Sequence, residues 1–496
     1  MNMQILIITL VLVITSFASY LLRHQTVSRY SVYVIAGIAL ANFVEINQIL
    51  DLATFGAIFI IFYLSLRANP KIFKEEMGIT LKTVLATLLI VVAPLYVFFS
   101  YQGFMVIEST LLSLAIATGS SLVGLKLVKK EIARGLKQGK LTESINLLHD
   151  FLILIVLAVF SSPIKPLQDI VLIVFLGVLV YSIKDVFAKT FLKITGNSNE
   201  LQLLIAVTIL LGFSALTQYI GIGILTGAFL AGMLFSNHKT SYEIRKNVQP
   251  LEEFFIVILF VSIGISLGIP SFNSVLLALA LVFLTFISVM IHQIILTKQH
   301  IHPKTSFYTA IQMDQVSEFI VIAALFLYLA NTISLFVYEA IAIAFLITSI
   351  TSLLTDTYKE KIFQIFNLES YVMAQNIPKK NHVIVAGVGN IAKKLYDDLQ
   401  KNEVKLLGID KDPQKVEDLK HYLIANLHKK ETWEQANAKD AKAIILFDKT
   451  HCQYVKDVKA KKFLVSTDAV KGFIHIDVNK AEEKMFAKLL EKILKA

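Results

Sequence analysis

The chain has little charge for its length. Asp, Glu, Lys and Arg make up 17% of its 496 residues, against about 25% in an average soluble protein. Hydrophobic residues make up 55%, and the mean hydropathy is +0.67. Too few polar side chains remain to cover the surface of several soluble domains, so the composition excludes a purely soluble protein.

Cysteine is also nearly absent, and the basic excess is small. The single Cys452 excludes an internal disulfide and a cysteine-rich zinc cluster. Residues 1–356 hold 21 Lys and Arg against 18 Asp and Glu, and residues 357–496 hold 26 against 19, which gives +3 and +7 of the total +10. The basic residues form no long run and are not interleaved with aromatics, so we expect no nucleic-acid partner. A place beside the anionic cytoplasmic leaflet explains the excess more simply.

Long hydrophobic runs take the place of charge up to Asp356. They are about 18–22 residues long, enough to cross a bilayer. The first run has no basic segment before it, so we expect a membrane helix rather than a cleaved signal peptide. The pattern predicts thirteen membrane spans: 4–22, 31–49, 51–66, 79–100, 104–125, 143–161, 167–187, 199–219, 222–236, 251–268, 272–296, 306–329 and 333–355.

The basic residues between the spans predict the orientation. With thirteen alternating spans, twenty Lys and Arg fall on the side reached after the first span, and only Lys165 falls on the other. The positive-inside rule makes the basic side cytoplasmic. We therefore expect a multi-pass protein of the inner or plasma membrane, with its N-terminus outside and its tail in the cytoplasm.

Asp150 is a carboxyl group predicted well inside a span. It follows His149 and precedes an unbroken apolar run to Phe160, whereas acids at span ends, such as Glu108, are expected to be solvated at the interface. An acid at bilayer depth is by default a functional candidate. Asp150 is either an ion or proton site or a carboxyl hydrogen-bonded to a neighbouring helix. His149 either tunes it or is a helix-facing polar residue.

Two other spans are interrupted by polar residues. In the fifth, small hydroxyl residues beside glycine favour either close helix packing or an unwound stretch facing a cation. In the twelfth, five polar residues within seven positions require a cavity or a polar neighbour. Interrupted spans in corresponding positions of two halves indicate an inverted-repeat transporter with its site where they cross. The candidate residues are Thr118, Ser120, Ser121, Gln312, Asp314, Gln315, Ser317 and Glu318.

The sequence of the tail predicts a nucleotide-binding domain. A buried strand ends at Ala386, the glycine turn Gly387-Val-Gly-Asn390-Ile391-Ala392 follows, and after a helix a second strand ends at Asp410. Such glycines let the backbone approach a pyrophosphate, and the acid can bind a ribose hydroxyl. The alternative is a Rossmann-like fold that no longer binds. The tail has no pattern typical of an enzyme.

Together these stretches resemble the second monovalent cation:proton antiporter family, in particular its Kef-type members with a C-terminal RCK/TrkA-N domain. The supporting stretches are Thr118-Gly-Ser-Ser121, His149-Asp150, Gly227-Ala-Phe-Leu-Ala-Gly-Met-Leu234, Phe260-Val-Ser-Ile-Gly264, Gln315-Val-Ser-Glu-Phe319 and Gly387-Val-Gly-Asn-Ile-Ala392.

The resemblance implies an α-helical membrane domain of two inverted repeats with broken crossing helices, usually a homodimer, over residues 1–356. A linker at 357–380 and an α/β Rossmann-like domain at 381–496 would follow. Asp150 would bind cation and proton in turn, Glu318 and its neighbours would line or stabilise the crossing, and no resident metal is implied. Gly387, Gly389, Asn390, Ile391 and Asp410 would hold NAD(H) or an adenine nucleotide.

Departures from the family pattern qualify this reading. The family often has a second acid or a glutamine where this chain has His149. In the family a second acid goes with electrogenic exchange, so its absence here favours electroneutral exchange. In the tail, the Gly-Asp expected near Leu423–Leu427 is missing, and the second half looks shortened. We expect an antiporter of K+, or alternatively Na+, against protons. A nucleotide-gated potassium channel would need a filter of the Thr-Val-Gly-Tyr-Gly type, and a membrane oxidoreductase would need a haem, flavin or quinone signature; the sequence has neither.

Overall fold

The structure is a computed structural model of the whole chain. It describes residues 9, 13, 16, 20, 28–43, 50–67, 70–161, 166–196, 198–236, 238–365, 373–402, 404–416, 419–466 and 469–477. Most of the first predicted span, 4–22, lies outside these residues. So does the stretch from Ala481 to Leu494, whose sequence pattern predicts a final amphipathic helix. By its internal contacts the chain divides into two compact units, described separately: a helical unit up to Ile362, and a unit of Phe363–Ala496 with the segments 131–138 and 300–306.

Helices occur at each of the other twelve predicted spans. Eight helical stretches in the described ranges are long and apolar enough to cross a membrane, and two of them, Ile72–Tyr101 and Val106–Leu127, each combine two of the helices named below. Thirteen crossings remain a prediction. The helices are α1 (Ser28–Leu40), α2 (Leu50–Arg67), α3 (Pro70–Thr87), α4 (Ala93–Tyr101), α5 (Val106–Ala117), α6 (Ser121–Leu127), α7 (Lys129–Ala133), α8 (Lys137–Ser161), α9 (Pro166–Thr195), α10 (Asn199–Ile220), α11 (Ile224–Leu234), α12 (His238–Leu267), α13 (Phe272–Lys298), α14 (Pro303–Ile311), α15 (Glu318–Leu329) and α16 (Leu335–Ile365).

Three interruptions shape this unit. A π-helical turn, Leu88–Val92, joins α3 to α4 just before Pro94, and such turns often lie at functional sites. The other two are the gaps between α5 and α6 and between α14 and α15. The sequence predicted both gaps, since they fall on the polar stretches of the fifth and twelfth spans.

Glycine lets α1 and α12 touch. A Cβ added to Gly37 would lie 2.8 Å from the Cα of Gly264 and closer still to the carbonyl oxygen of Val261. The two helices therefore meet backbone to backbone, as small residues permit between membrane helices. This packing holds one side of the helical unit together.

The second unit is built on a seven-stranded sheet in the order β1-β4-β3-β2-β5-β6-β7. All neighbours are parallel except β1, which pairs antiparallel with β4. The six parallel strands have the order of a dinucleotide-binding fold. The strands are β1 (Met373–Gln375), β2 (Val383–Ala386), β3 (Leu406–Asp410), β4 (Tyr422–Ile424), β5 (Ala443–Leu446), β6 (Lys461–Ser466) and β7 (Ile474–Asp477). Between 373 and 477, the described part of the tail, the helices are α17 (Asn390–Lys401), α18 (Pro413–Val416), α19 (Lys430–Gln435) and α20 (Cys452–Val455).

The second half of the tail contributes the strands β5, β6 and β7 to the sheet. Within the range 357–380, which the sequence predicts as a linker, α16 continues to Ile365 and β1 forms an edge strand of the sheet. The short β1 has only three residues and no glycine fingerprint, so composition alone gave no sign of it.

Candidate ion site at the two helix breaks

The first break is formed by Thr118, Gly119 and Ser120. Thr118 and Ser120 are in extended conformation, with ψ of 132° and 120°. The Oγ of Ser120 accepts a hydrogen bond from the backbone N–H of Val123 at 3.2 Å, which is the usual role of a serine before a helix. The sequence therefore ends one helix and starts the next within three residues.

The second break runs from Gln312 to Ser317. Ser317 caps α15 by accepting from the N–H of Phe319 at 3.2 Å. The N–H of Val316 donates to the Oγ1 of Thr348 in α16 at 3.1 Å. This longer break is therefore supported from outside by the last helix of the unit.

The two breaks are in contact. A Cβ added to Gly119 would lie 2.8 Å from the Cα of Met313, and one added to Gly124 would lie 3.0 Å from the carbonyl oxygen of Gln312. No larger residue fits at Gly119 without moving the backbone. The glycines of the fifth span thus serve close packing as well as the break, so the two sequence readings are compatible.

Glu318 joins the second break to the first. Its Oε2 accepts from the Oγ of Ser120 at 2.6 Å, and its Oε1 accepts from the backbone N–H of Leu122 at 2.8 Å. Glu318 is completely buried, and a buried carboxylate needs such donors. Glu318 therefore accepts hydrogen bonds from two donors of the first break, the Ser120 hydroxyl and the Leu122 N–H, that are not used within the helices.

Asp150 lies at the same place, on α8. Its Oδ2 accepts a hydrogen bond from the Oγ of Ser121, and its side chain is buried. Among the residues that the structure describes, none donates to its Oδ1. Adjacent serines thus hold the two carboxyl groups, Ser120 that of Glu318 and Ser121 that of Asp150.

Asn146 belongs to this site, although the sequence reading missed it. It lies four residues before Asp150, on the same face of α8, and its amide atoms would be within 3.4 Å of a Cβ at Gly119 or Gly124. Both amide atoms are buried, and no partner for them is found in the described part of the chain. The i−4 spacing from Asp150 was the signal that could have identified it.

His149 points elsewhere. Its ring lies 6.3 Å, centroid to centroid, from that of His292 on α13. His292 is bound by the Oγ1 of Thr87 at 3.0 Å and by the carbonyl oxygen of Ser288 at 2.9 Å. His149 is therefore adjacent to Asp150 in sequence, but the structure places it beside a second buried histidine.

Asp314 and Gln312 connect the second break to α16. The Oδ2 of Asp314 accepts from the Oγ1 of Thr355 at 2.5 Å, and its Oδ1 accepts from the Nε2 of Gln315 at 3.0 Å. The Nε2 of Gln312 donates to Asp356 at 2.9 Å. Asp314 thus has hydrogen-bond donors for both of its oxygens, unlike Asp150.

The expectation for Glu108 was wrong. Its Oε1 accepts from the N–H and Oγ of Ser334, at 2.9 and 2.6 Å, and it is buried rather than solvated. A similar contact links Glu339 to the N–H of Ser271 at 3.1 Å and to the Oγ of Ser274 at 2.5 Å. These acids join α5, α13 and α16 through the ends of their helices.

The tail places its predicted nucleotide-binding residues at the carboxyl edge of the parallel strands. Gly387 follows β2 with a φ of +81°, Gly389 precedes α17, which begins at Asn390, and Ile391 packs against the core of the domain. Asp410 ends β3, and its Oδ1 accepts from the N–H of Asp412 at 2.9 Å. Burial raises the pKa of Asp410 above its ordinary value, while Lys415, 3.7 Å away, acts against this. This edge is where such sheets bind ligands.

Comparisons with known proteins agree with this architecture. A family model described as "Sodium/hydrogen exchanger, transmembrane" matches residues 7–357, and one described as "TrkA-N domain" matches residues 383–457. The sodium proton antiporter MjNhaP1 from Methanocaldococcus jannaschii has a similar fold, with a TM-score of 0.56 and 16% identity over 73% of this chain and 98% of that one.

Curated relatives include antiporters of both cations. The Na(+)/H(+) antiporter of Enterococcus hirae is 25% identical over 57% of this chain and 78% of its own. The putative K(+) efflux antiporter KefB of Alkalimonas amylolytica is 25% identical over 45% of this chain, and the glutathione-regulated potassium-efflux system protein KefC of Escherichia coli is 22% identical over 53%. These matches span 36% and 42% of the two Kef proteins, less than half their length.

These relatives are transporters, which agrees with the expectation that the chain is not an enzyme and does not favour the channel alternative. The first family model covers more than half of the chain. The protein therefore belongs to the sodium/hydrogen exchanger family of cation/proton antiporters, and it carries a TrkA-N domain after its membrane part.

Proposed function

We propose that this protein exchanges a monovalent cation, K+ in preference to Na+, for protons, with Asp150 as the shared site. The observation that carries the proposal is the state of its carboxyl group. One oxygen accepts from Ser121, and the other is buried with no donor among the described residues. Such an oxygen gains a partner when it binds either a proton or a cation.

Coupling follows from competition at one carboxylate. Asp150 bound to a proton has lost the charge that attracts a cation, and Asp150 bound to a cation excludes the proton. Only the loaded forms avoid an unpaired charge in a buried site. With a single exchanging acid, one proton is exchanged for one cation, and the exchange is electroneutral.

The neighbouring residues have distinct roles in this proposal. Asn146, Thr118 and Gln315 supply amide and hydroxyl oxygens around the cation, and Ser121 orients Asp150. Glu318 holds the two breaks together through Ser120 and the backbone of the first break, and Ser317 caps the second. The two sets of contacts position oxygen ligands of the kind that K+ and Na+ take.

The assembly and orientation are part of the same proposal. We assign the protein to a homodimer, by analogy with the family, and to the cell membrane with its N-terminus outside. The distribution of Lys and Arg supports the orientation, because twenty of the twenty-one in residues 1–356 fall on one side. That side would face the cytoplasm, together with the TrkA-N domain.

The test is exchange in proteoliposomes with Asp150→Asn. An amide cannot alternate between a proton and a cation, so K+-driven and Na+-driven proton movement should both fall to background. Asp51→Asn, an exposed acid at the start of α2, is the matched control and should exchange normally. Retained exchange by correctly inserted Asp150→Asn would refute the proposal. Comparing K+ with Na+ in the unaltered protein tests the cation preference separately.

The tail is proposed to bind NAD(H) or an adenine nucleotide between the glycine turn and Asp410. Its matched family model and the order of its strands support this. The chain has one tryptophan, Trp433, buried in the tail with its Nε1 donating to the carbonyl oxygen of Leu427 at 3.1 Å. Its fluorescence should change with added NADH or AMP. Asp410→Ala should weaken the response, and Asp398→Ala, on the exposed face of α17, should not. An unchanged titration in Asp410→Ala would count against this assignment without affecting transport.

A further inference from the structure

A groove lies beside the helix that carries Asp150. Its volume is about 290 Å³, and α8, α9 and α11 form its main walls. Most of the side chains lining it are apolar. They include Leu148, Phe151, Val174, Phe229 and Met233.

One glycine provides much of the space. Gly177 lies in the wall contributed by α9, and a Cβ there would lie 3.8 Å from Phe151 and 3.9 Å from Met233. These are ordinary contact distances, so alanine would fit and a larger side chain would enter the groove. A side chain larger than alanine at position 177 would therefore reduce the volume of the groove.

The groove is open on the side of α9. Val174, Val178 and Tyr181 line this side. Their solvent-accessible areas are 43%, 61% and 43% of those of fully exposed residues. In a protein that spans a membrane, exposed apolar side chains of this kind face lipid. An occupant can therefore enter directly from the bilayer.

Three residues of the lining carry hydroxyl groups, namely Ser65, Tyr181 and Ser236. Each lies near the end of its predicted span that the distribution of Lys and Arg assigns to the cytoplasm. Lys184 lies one turn beyond Tyr181 on α9, with its Nζ 4.9 Å from the centre of the Tyr181 ring. Its Nζ is also 3.3 Å from a carboxylate oxygen of Asp185, which is itself mostly exposed. By the distribution of Lys and Arg, this end belongs to the predicted cytoplasmic leaflet.

We propose that this groove binds an anionic diacyl phospholipid from that leaflet. One acyl chain occupies the apolar part between α8 and α11, where each buried methylene favours binding. The phosphate lies at the predicted cytoplasmic end, where the Tyr181 hydroxyl supplies a donor and the largely buried Lys184 exchanges its contact with Asp185 for one with the anionic headgroup. The acyl chain then packs against Leu148 and Phe151 of α8, so bound lipid would also alter the movement of the helix that carries Asp150.

The test is lipid binding to the purified full chain, measured by native mass spectrometry after delipidation and titration with phosphatidylglycerol or phosphatidylcholine. Gly177→Leu fills the groove and should lower the affinity for both lipids about tenfold, as expected from the loss of a few methylene contacts. Gly212→Leu, at an exposed helical glycine with no atom near its Cβ position, should bind as the unaltered protein does. Gly177→Ala should fold and bind almost normally.

The headgroup contact is tested separately. Lys184→Gln should reduce phosphatidylglycerol affinity about fivefold, since one basic residue is removed, and should leave phosphatidylcholine unchanged. Lys189→Gln, exposed on the same helix, is its control.

Equal lipid binding by Gly177→Leu and Gly212→Leu would overturn the groove as the site, as would a stable dimer that covers this face and excludes lipid. Equal affinity for the two lipids in the unaltered protein would overturn its selectivity for anionic headgroups. Met233→Trp fills the groove from α11 and repeats the first test should Gly177→Leu fail to fold.

Discussion

The acids of the helical unit and the acid of the tail obtain their partners in different ways. Glu318 accepts from residues 198 and 196 positions away in the chain, and Asp150 accepts from one 29 positions away. Asp410, at the carboxyl edge of the sheet, accepts from the N–H two positions later and lies near Lys415. One site is assembled from distant segments, and the other is largely built by one strand and the turn after it.

This difference has a functional consequence. The proposed ion site keeps the contacts described above only while the two breaks remain together, so a movement that separates α6 from α15 would remove donors from Glu318. The local hydrogen bond of Asp410 does not depend on such a movement, because Asp412 travels with it. Contacts between distant segments suit a site whose exposure must change during transport. Contacts within one short segment suit a site that holds a regulatory ligand.

The largest expected effect tests the joining role of Glu318. Glu318→Gln loses charge-assisted hydrogen bonds to Ser120 and Leu122, each worth about 1.5–3 kcal/mol. Exchange in proteoliposomes should fall about 10- to 100-fold. Glu339 is a close control, because it also accepts from one backbone N–H and one serine hydroxyl.

Glu339→Gln should lower thermal stability by a similar amount while the cation concentration for half-maximal exchange stays the same. If both variants lose exchange equally, buried acids of this unit act only through stability. The distinction between a joining acid and a structural acid would then fail.

A smaller effect is expected from the contact between the breaks. Gly119→Ala places a Cβ 2.8 Å from the backbone of Met313, and such overpacking costs about 1–3 kcal/mol. We expect exchange to fall several-fold with a lower unfolding temperature. Gly212→Ala has no atom within 4 Å of its new Cβ and should change neither measurement. Normal exchange by Gly119→Ala would show that the breaks need not touch.

Much of this arrangement could be predicted from the sequence, because its signals are local. Apolar runs gave the helices, polar interruptions gave both breaks, and the glycine turn followed by Asp410 gave the tail fold. Asp150 was identified because charge is rare at bilayer depth. Each of these features is contained in a short stretch of chain.

What could not be predicted depends on contacts between distant segments. The pairing of Ser120 with Glu318 joins two spans, and nothing in either stretch specifies which hydroxyl meets which acid. For His149 the sequence allows either tuning of Asp150 or a place facing a neighbouring helix. Consecutive residues of a helix point about 100° apart, and the ring of His149 lies beside that of His292. Glu108 was expected at the interface because no signal near it indicated Ser334.

Thr355→Val tests the support that α16 gives to the second break. The hydroxyl of Thr355 donates to the buried Asp314, and its loss leaves one carboxylate oxygen without that donor, at a cost of about 1–3 kcal/mol. Stability should fall and cation affinity should weaken slightly. Thr357→Val is the control, since its hydroxyl donates to the carbonyl of Leu353 on the exposed side of the same helix, α16. Equal behaviour of the two variants would remove Asp314 from the supporting contacts.

The smallest effect concerns pH and the tail. Because burial raises the pKa of Asp410, the folded tail binds this proton more tightly than the unfolded chain does. The stability due to this group is therefore present at low pH and is lost as the pH rises from about 4 through its folded-state pKa. The fluorescence of Trp433 reports unfolding of the tail within the full chain, and Asp410→Asn should show less of this decline than the unaltered protein, with Asp398→Asn as control. A decline that is unchanged in Asp410→Asn would mean that other groups dominate. Asp410 would then not be the acid whose local contacts distinguish the tail from the ion site.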